Sequence, residues 1–132
     1  MRLVIVSNRV KLPESLQAGG MAVGIEAAMA GREGLWIGWS GRFETPDRPP
    51  VEDRRAGEIA FAVADLPEAT FKGYYNGFSN QVLWPLLHDR PDLVVLDPDA
   101  LSAYMDVNAR LAALVAARLA ADDLVWIHDY HL

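Results

Sequence analysis

Charged side chains follow two apolar runs of the sequence, at the points where buried strands are predicted to end. Arg9 comes just after the run at residues 2–7, and Asp129 comes directly after the run at residues 124–128. In an α/β sheet, ligands bind at the carboxyl ends of the parallel strands. We therefore expect Arg9 and Asp129 to reach the same cleft.

The chain around the first strand end is typical of an anion site. An arginine there can fork onto a phosphate, and a surface salt bridge is the alternative. Gly19 and Gly20 precede a helical pattern, so their backbone N–H groups can approach a phosphate at the helix N-terminus. The spacing is not the full dinucleotide fingerprint, and a flexible loop before a helix remains the alternative.

The segment 74–88 is rich in aromatic and amide side chains, a mixture that stacks sugars and binds their hydroxyls. Each aromatic taken alone is more often a core residue. Trp36 and Trp39 lie in one predicted strand at an odd separation, so they point to opposite faces, and one of them can line the cleft. After the last strand, Asp129 can accept hydroxyl hydrogen bonds, with a helix N-cap as the alternative.

Composition excludes several classes of protein. The 132 residues include no cysteine, which excludes a disulfide framework and any zinc or iron–sulfur site built from cysteines. A net charge of -6 argues against nucleic-acid binding. No apolar run is long enough for a signal peptide or a membrane span, so we expect one soluble, cytoplasmic domain without membrane contact.

The predicted elements give an α/β fold with a doubly wound sheet. Strands are predicted at residues 2–7, 35–40, 59–63 and 124–128, and helices at 21–29, from 79 or 80 onward, and at 98–121. Asp97 is the predicted N-cap of the last helix, and the polar stretch 42–50 is predicted as a surface loop. Because no helix follows the last strand, we expect the first part of a larger protein, with residues 125–127 at an open edge.

Six blocks of the sequence, in order, resemble glycosyltransferase family 20, the trehalose-6-phosphate synthases. They are residues 4–9, 19–24, 35–41, 74–80 with 83–85, 104–108 and 125–132. The resemblance implies a GT-B architecture of two Rossmann-like domains, of which residues 1–132 are the incomplete N-terminal, acceptor-side domain. It also implies transfer of glucose from UDP-glucose to glucose 6-phosphate with retention of configuration, without a metal or cofactor.

The resemblance also implies roles for individual residues. The acceptor, glucose 6-phosphate, is assigned to Arg9, Trp39, Tyr75 and Asp129. The diphosphate of UDP-glucose is assigned to Gly19 and Gly20, and selection of the α-anomer to Trp84.

Three questions stay open at this point. Another GT-B transferase, such as a glycogen synthase, and a noncatalytic module that binds sugar phosphate or a partner are the alternatives. The donor nucleotide could be UDP, GDP or ADP, because the base-reading half of such enzymes lies outside this sequence. A homo-oligomer is an alternative to a monomer for the full-length protein.

Overall fold

The computed structural model describes residues 1–14 and 20–132, which contain a five-stranded sheet. The strands are β1 (Leu3–Arg9), β2 (Gly34–Phe43), β3 (Val51–Ala56), β4 (Ile59–Leu66) and β5 (Leu124–His128). Their order in the sheet is β3-β4-β2-β1-β5. Neighbours among β4, β2, β1 and β5 pair in parallel, and β3 is antiparallel to β4. The predicted α/β fold class is confirmed.

β1 occupies the position that its continuous apolar run predicts. Val4, Ile5 and Val6 are buried, as expected for a strand that is covered on both faces. β1 pairs with β2 on one side and with β5 on the other, so that Ser7 lies opposite both Gly38 and His128.

The helices cover both faces of the sheet. They are α1 (Gly20–Met29), α2 (Glu68–Phe71), α3 (Trp84–Leu87) and α4 (Pro98–Ala116), with a π-helical segment at Lys72–Leu83 and a 3₁₀ turn at Pro91–Leu93. α4 begins as predicted, because the carboxylate of Asp97 accepts a 2.9 Å hydrogen bond from the backbone N–H of Asp99. It ends at Ala116, five residues before the predicted end.

The hydrophobic core lies on the two faces of the sheet. On one face, Ile25 and Met29 of α1 pack with Trp36 and Phe61. On the other face, Val107 and Leu111 of α4 pack with Trp39, Leu66 and Tyr74. The two tryptophans of β2 therefore lie on opposite faces, as their odd separation predicts.

One local prediction was wrong, and one strand was not predicted. The predicted helix start at residue 79 or 80 is contradicted, since helical structure runs without a break from Glu68 to Leu87. In a π-helix the hydrogen bonds join residues five apart rather than four, so its side chains do not follow the 3.6-residue period that indicates an α-helix. The loop after residue 42 leads into β3, a charged edge strand with no apolar run to signal it.

β5 is an edge strand with large exposed side chains, as predicted for residues 125–127. Trp126 is 44% exposed and Ile127 is 60% exposed. Within residues 1–14 and 20–132, no helix is both long and apolar enough to cross a membrane.

Gly38 is predicted to be essential for the packing of β1 against β2. A Cβ atom at this position would overlap the carbonyl oxygen of Ser7 and lie 3.1 Å from Cγ2 of Val10. Since both neighbours lie in or next to the central strand, Gly38→Ala should lower the free energy of unfolding by roughly 2–3 kcal/mol. Thermal and urea unfolding of the 132-residue chain measure this change.

Gly24→Ala is the matched control. Gly24 is an exposed helical position where an added Cβ meets nothing within 4 Å. Alanine should therefore stabilise α1 by up to about 1 kcal/mol. Equal unfolding midpoints for the two variants would contradict the packing argument.

Candidate functional site

The parallel strands bring the predicted site residues to one edge of the sheet. Arg9 ends β1, Trp39 lies opposite it in β2, and Asp129 directly follows β5. The π-helical segment lies over the same edge, because the buried hydroxyl of Tyr74 donates a 2.9 Å hydrogen bond to Oδ1 of Asn8. Burial raises the pKa of Tyr74, so its hydroxyl keeps the proton that it donates.

Arg9 projects an exposed guanidinium group over an aromatic ring. Its Cζ atom lies 5.6 Å from the centre of the Trp39 ring, within cation–π range. Among the described residues, no carboxylate lies within salt-bridge distance of this guanidinium group. The positive charge of Arg9 is therefore available to an anion.

A row of neighbouring aromatic rings, most of them stacked, runs from Arg9 along the site. The row consists of Trp39, Phe71, Tyr75, His131, Tyr130 and Trp84. Successive ring centres are 4.2, 5.2, 5.3, 4.2 and 5.5 Å apart. Three of the aromatic residues predicted for the site therefore belong to one continuous wall.

Asp129 lies beside this wall in a left-handed backbone conformation, with φ of 75°. Non-glycine residues seldom adopt this conformation, and they tend to do so at functional sites. Its Oδ1 atom accepts a hydrogen bond from the backbone N–H of Tyr130, and Oδ2 lies 3.7 Å from Nδ1 of His131. The side chain remains 39% exposed, so it can still accept hydrogen bonds from a ligand.

The chain after β5 is anchored by side chains of two helical elements. The hydroxyl of Tyr130 donates to Oδ1 of Asn80 at 3.0 Å, and the hydroxyl of Tyr104 donates to the carbonyl oxygen of Tyr130 at 3.2 Å. Asn108 donates to the carbonyl oxygen of His131 at 3.3 Å. The π-helical segment and α4 therefore fix the position of the loop that carries Asp129.

His131 has no role in the sequence analysis, because its place in the ring wall depends on residues that are far apart in the chain. The ring is buried between Tyr75 and Tyr130, and neither of its nitrogens has a hydrogen-bond partner among the described residues. Burial lowers the pKa of His131, and the neighbouring His128 adds to that effect while Asp129 opposes it. The ring is therefore neutral at pH 7.

The structure gives the positions of Trp84 and Gly20, two further residues that were predicted for the site. Trp84 is 48% exposed beside the rings of Tyr130 and His88, so it is not a core residue. Gly20 is the first residue of α1, where an added Cβ would meet nothing within 4 Å. Gly19 lies outside the described residues.

Comparison with known proteins agrees with this arrangement. The family model described as glycosyltransferase family 20 matches residues 3–132. The chain is 47% identical over 133 residues to the trehalose-6-phosphate synthases of Klebsiella pneumoniae subsp. pneumoniae and of Escherichia coli K12. Each alignment covers 99% of this chain and 28% of the relative.

Solved structures give the same result. A structure described as trehalose-6-phosphate from E. coli bound with UDP-2-fluoro glucose superimposes with a TM-score of 0.86 at 46% identity. An alpha,alpha-trehalose-phosphate synthase (UDP-forming) from Burkholderia xenovorans in complex with glucose-6-phosphate superimposes with a TM-score of 0.85 at 40% identity. Each superposition covers 99% of this chain and 28% of the other.

The match to the family model runs through nearly all of the sequence, and the solved structures share the arrangement of strands and helices. The chain spans just over a quarter of the length of these relatives. This chain belongs to glycosyltransferase family 20.

Proposed function

We propose that this chain is the acceptor-binding part of an enzyme that transfers glucose from UDP-glucose to glucose 6-phosphate. The C1–O bond to the diphosphate breaks, and a new bond forms between that C1 and the anomeric oxygen of the acceptor. The acceptor hydroxyl loses its proton to the solvent, and the products are trehalose 6-phosphate, UDP and that proton. The α-configuration at the transferred carbon is retained.

One observation carries this proposal most directly. The guanidinium group of Arg9 is exposed at the carboxyl end of β1, rests on Trp39, and lies within reach of no carboxylate in the described residues. A planar cation held in this way suits a phosphate, which it can bind through two parallel N–H donors. We assign the 6-phosphate of the acceptor to Arg9.

The sugar ring of the acceptor would lie along the aromatic wall. The hydroxyl of Tyr75 has no hydrogen-bond partner among the described residues, and its ring is held between Phe71 and His131. The carboxylate of Asp129 can accept a hydrogen bond from a sugar hydroxyl. The Tyr75 hydroxyl and the Asp129 carboxylate, held in fixed positions, together offer a donor and an acceptor to the hydroxyls of a pyranose.

The donor would approach from the side of α1 and Trp84. The helix N-terminus at Gly20 offers N–H groups and a partial positive charge to a diphosphate, and an added Cβ at Gly20 would meet nothing within 4 Å. Such donors lower the barrier by stabilising the charge that develops on the leaving diphosphate. Relatives such as the E. coli enzyme have more than three times the length of this chain, and we assign the rest of the donor site to the part that the chain does not span.

Transfer requires that donor and acceptor are held together, so we propose to test activity in a chimera. Residues 1–132 of this chain would replace the matched N-terminal segment of the E. coli K12 enzyme, with which they share 47% identity. The chimera should release UDP when both UDP-glucose and glucose 6-phosphate are present. The 132-residue chain alone should not, since a well-oriented pair of substrates supplies roughly 7–11 kcal/mol of the barrier reduction.

In this chimera, Arg9→Ala should weaken the use of glucose 6-phosphate by roughly 10- to 150-fold in kcat/KM, the effect of losing one charge-assisted hydrogen bond. Arg32→Ala is the control, because Arg32 is also exposed but lies at the opposite end of α1. A folded chimera without turnover would contradict the proposed function. Equal acceptor kinetics in the Arg9 variant would contradict the phosphate assignment.

Trp84→Phe should reduce discrimination between anomers more than it reduces stability. The side chain is 48% exposed, so a smaller aromatic ring should change the free energy of unfolding by less than about 2 kcal/mol. The measurement compares the anomers of the transferred glucose and of the acceptor in the chimera. Leu86→Ala, at a similarly exposed site in the same helix, should leave anomer discrimination unchanged.

His131 should make the stability of the chain depend on pH near neutrality. Burial lowers the pKa of His131 in the folded chain. The contribution of the neutral ring to the free energy of unfolding is therefore complete above the unfolded pKa of about 6.5, and it is lost as the pH falls through the lower pKa of the folded chain. Unfolding midpoints measured from pH 8 to 5.5 should decrease more steeply for the native sequence than for His131→Phe. Parallel curves would show that the ring binds protons equally in the folded and unfolded chain.

A further inference from the structure

Asp65 is a buried acidic residue at the end of β4, and none of the predicted roles accounts for it. It lies near the carboxyl end of β4, on the same edge of the sheet as Arg9. Its residue exposure is 3%. A buried carboxylate is stabilised only when hydrogen bonds and opposite charges compensate for its lost hydration.

Three side chains compensate for the hydration that the buried carboxylate of Asp65 has lost. Its Oδ1 atom accepts hydrogen bonds from Oγ of Ser40 at 2.5 Å and from Nε of Arg42 at 3.2 Å. Its Oδ2 atom accepts from Nε and Nη2 of Arg48 at 3.3 and 3.1 Å. Burial alone raises the pKa of Asp65, but these donors outweigh burial and hold the pKa below its ordinary value.

The same contacts fix the conformation of the end of β2. Oγ of Ser40 accepts a 3.0 Å hydrogen bond from the backbone N–H of Arg42, and the carbonyl oxygen of Arg42 accepts a 2.8 Å hydrogen bond from Nε1 of Trp39. Gly41 between them has φ of +87°, in the left-handed region. The Asp65 carboxylate therefore holds a tight turn that includes the indole ring of Trp39.

Arg9 lies directly against this turn. A Cβ atom at Gly41 would lie 2.9 Å from Nη2, 3.0 Å from Nε and 3.1 Å from Cζ of Arg9. The ring of Trp39 lies 5.6 Å from the same Cζ atom. The guanidinium group is thus placed by Gly41 and by Trp39, and both are fixed by contacts of Ser40 and Arg42.

We propose that Asp65 is a positioning residue for the phosphate of the acceptor, acting through Ser40 and Arg42 on the guanidinium group of Arg9. The phosphate in this statement rests on the proposed function. The mechanical link from Asp65 to Arg9 does not, and it can be tested without any substrate.

The sign of the expected effect separates positioning from charge. Asp65→Asn removes a negative charge near the site, and by Coulomb attraction alone this change strengthens the binding of an anion. If Asp65 acts by positioning Arg9, the same substitution weakens the binding of the anion, because the loosened turn no longer holds the guanidinium group in place. In the chimera, Asp65→Asn should raise KM for glucose 6-phosphate by about tenfold.

The remaining kinetic constants act as internal controls. KM for UDP-glucose should stay within about twofold of the native value, which also shows that the chimera is folded. Asp53→Asn is the matched variant, since it removes an exposed carboxylate that pairs with Arg118 and makes no hydrogen bond to Ser40, Arg42 or Arg48. It should change neither KM. An unchanged or lower KM for glucose 6-phosphate in Asp65→Asn would overturn the proposal.

A double-mutant cycle tests whether Asp65 acts through Arg9. If it does, adding Asp65→Asn to the Arg9→Ala variant should change KM for glucose 6-phosphate by less than about twofold. Independent, multiplicative effects would overturn the proposal. If Asp65→Asn does not fold, Ser40→Ala replaces it, because this variant keeps the carboxylate with both arginines and removes only the hydroxyl that bridges to the turn.

The link is also measured by NMR on the 132-residue chain in the absence of substrate. The native sequence and Asp53→Asn should show a nuclear Overhauser effect between the Nε–H proton of Arg9 and the ring protons of Trp39, and Asp65→Asn or Ser40→Ala should lose it. An inactive chimera together with this result would reject the proposed function and keep the link. Retention of the effect in both turn variants would reject the link itself.

Discussion

The whole site depends on the parallel pairing of β1 with β2 on one side and with β5 on the other. This pairing makes three strands end at the same edge, so that Arg9, Trp39 and Asp129 are close in space although they are far apart in the sequence. The register leaves no room for a side chain where β2 passes Ser7, which is why Gly38 occupies that position. The helices then add a second layer of contacts to an edge that the sheet has already defined.

The parts that the sequence predicted well are those with strong local signals. The apolar run of β5 and the Asp97 N-cap of α4 are visible in single residues and their immediate neighbours, and both were confirmed. β3 was missed because an exposed edge strand of charged residues has no hydrophobic period. The segment from Glu68 was missed because its π-helical repeat differs from the period that defines an ordinary helix.

The residues of the site also fall into two groups, those that the sequence indicated and those that only the structure revealed. Arg9 and Asp129 could be found because ligand-binding residues follow strand ends, and that rule needs only the order of the elements. Asp65 also lies near a strand end, but its importance depends on three partners from other parts of the chain. The stacking of His131 between Tyr75 and Tyr130 likewise joins distant segments, and no spacing in the sequence encodes it.

The π-helical segment has a consequence for how this region can change during evolution. Twelve residues with the wide π repeat lie between Phe71 and Trp84, both of which belong to the ring wall. Loss of one residue must be absorbed either by a change of the helical repeat within the segment or by a rotation of everything after it around the helix axis. Either change disturbs the contacts of the segment itself or those of Trp84 with Tyr130. Homologous genes should therefore tolerate substitutions in this segment far better than insertions or deletions, and its length should be nearly invariant.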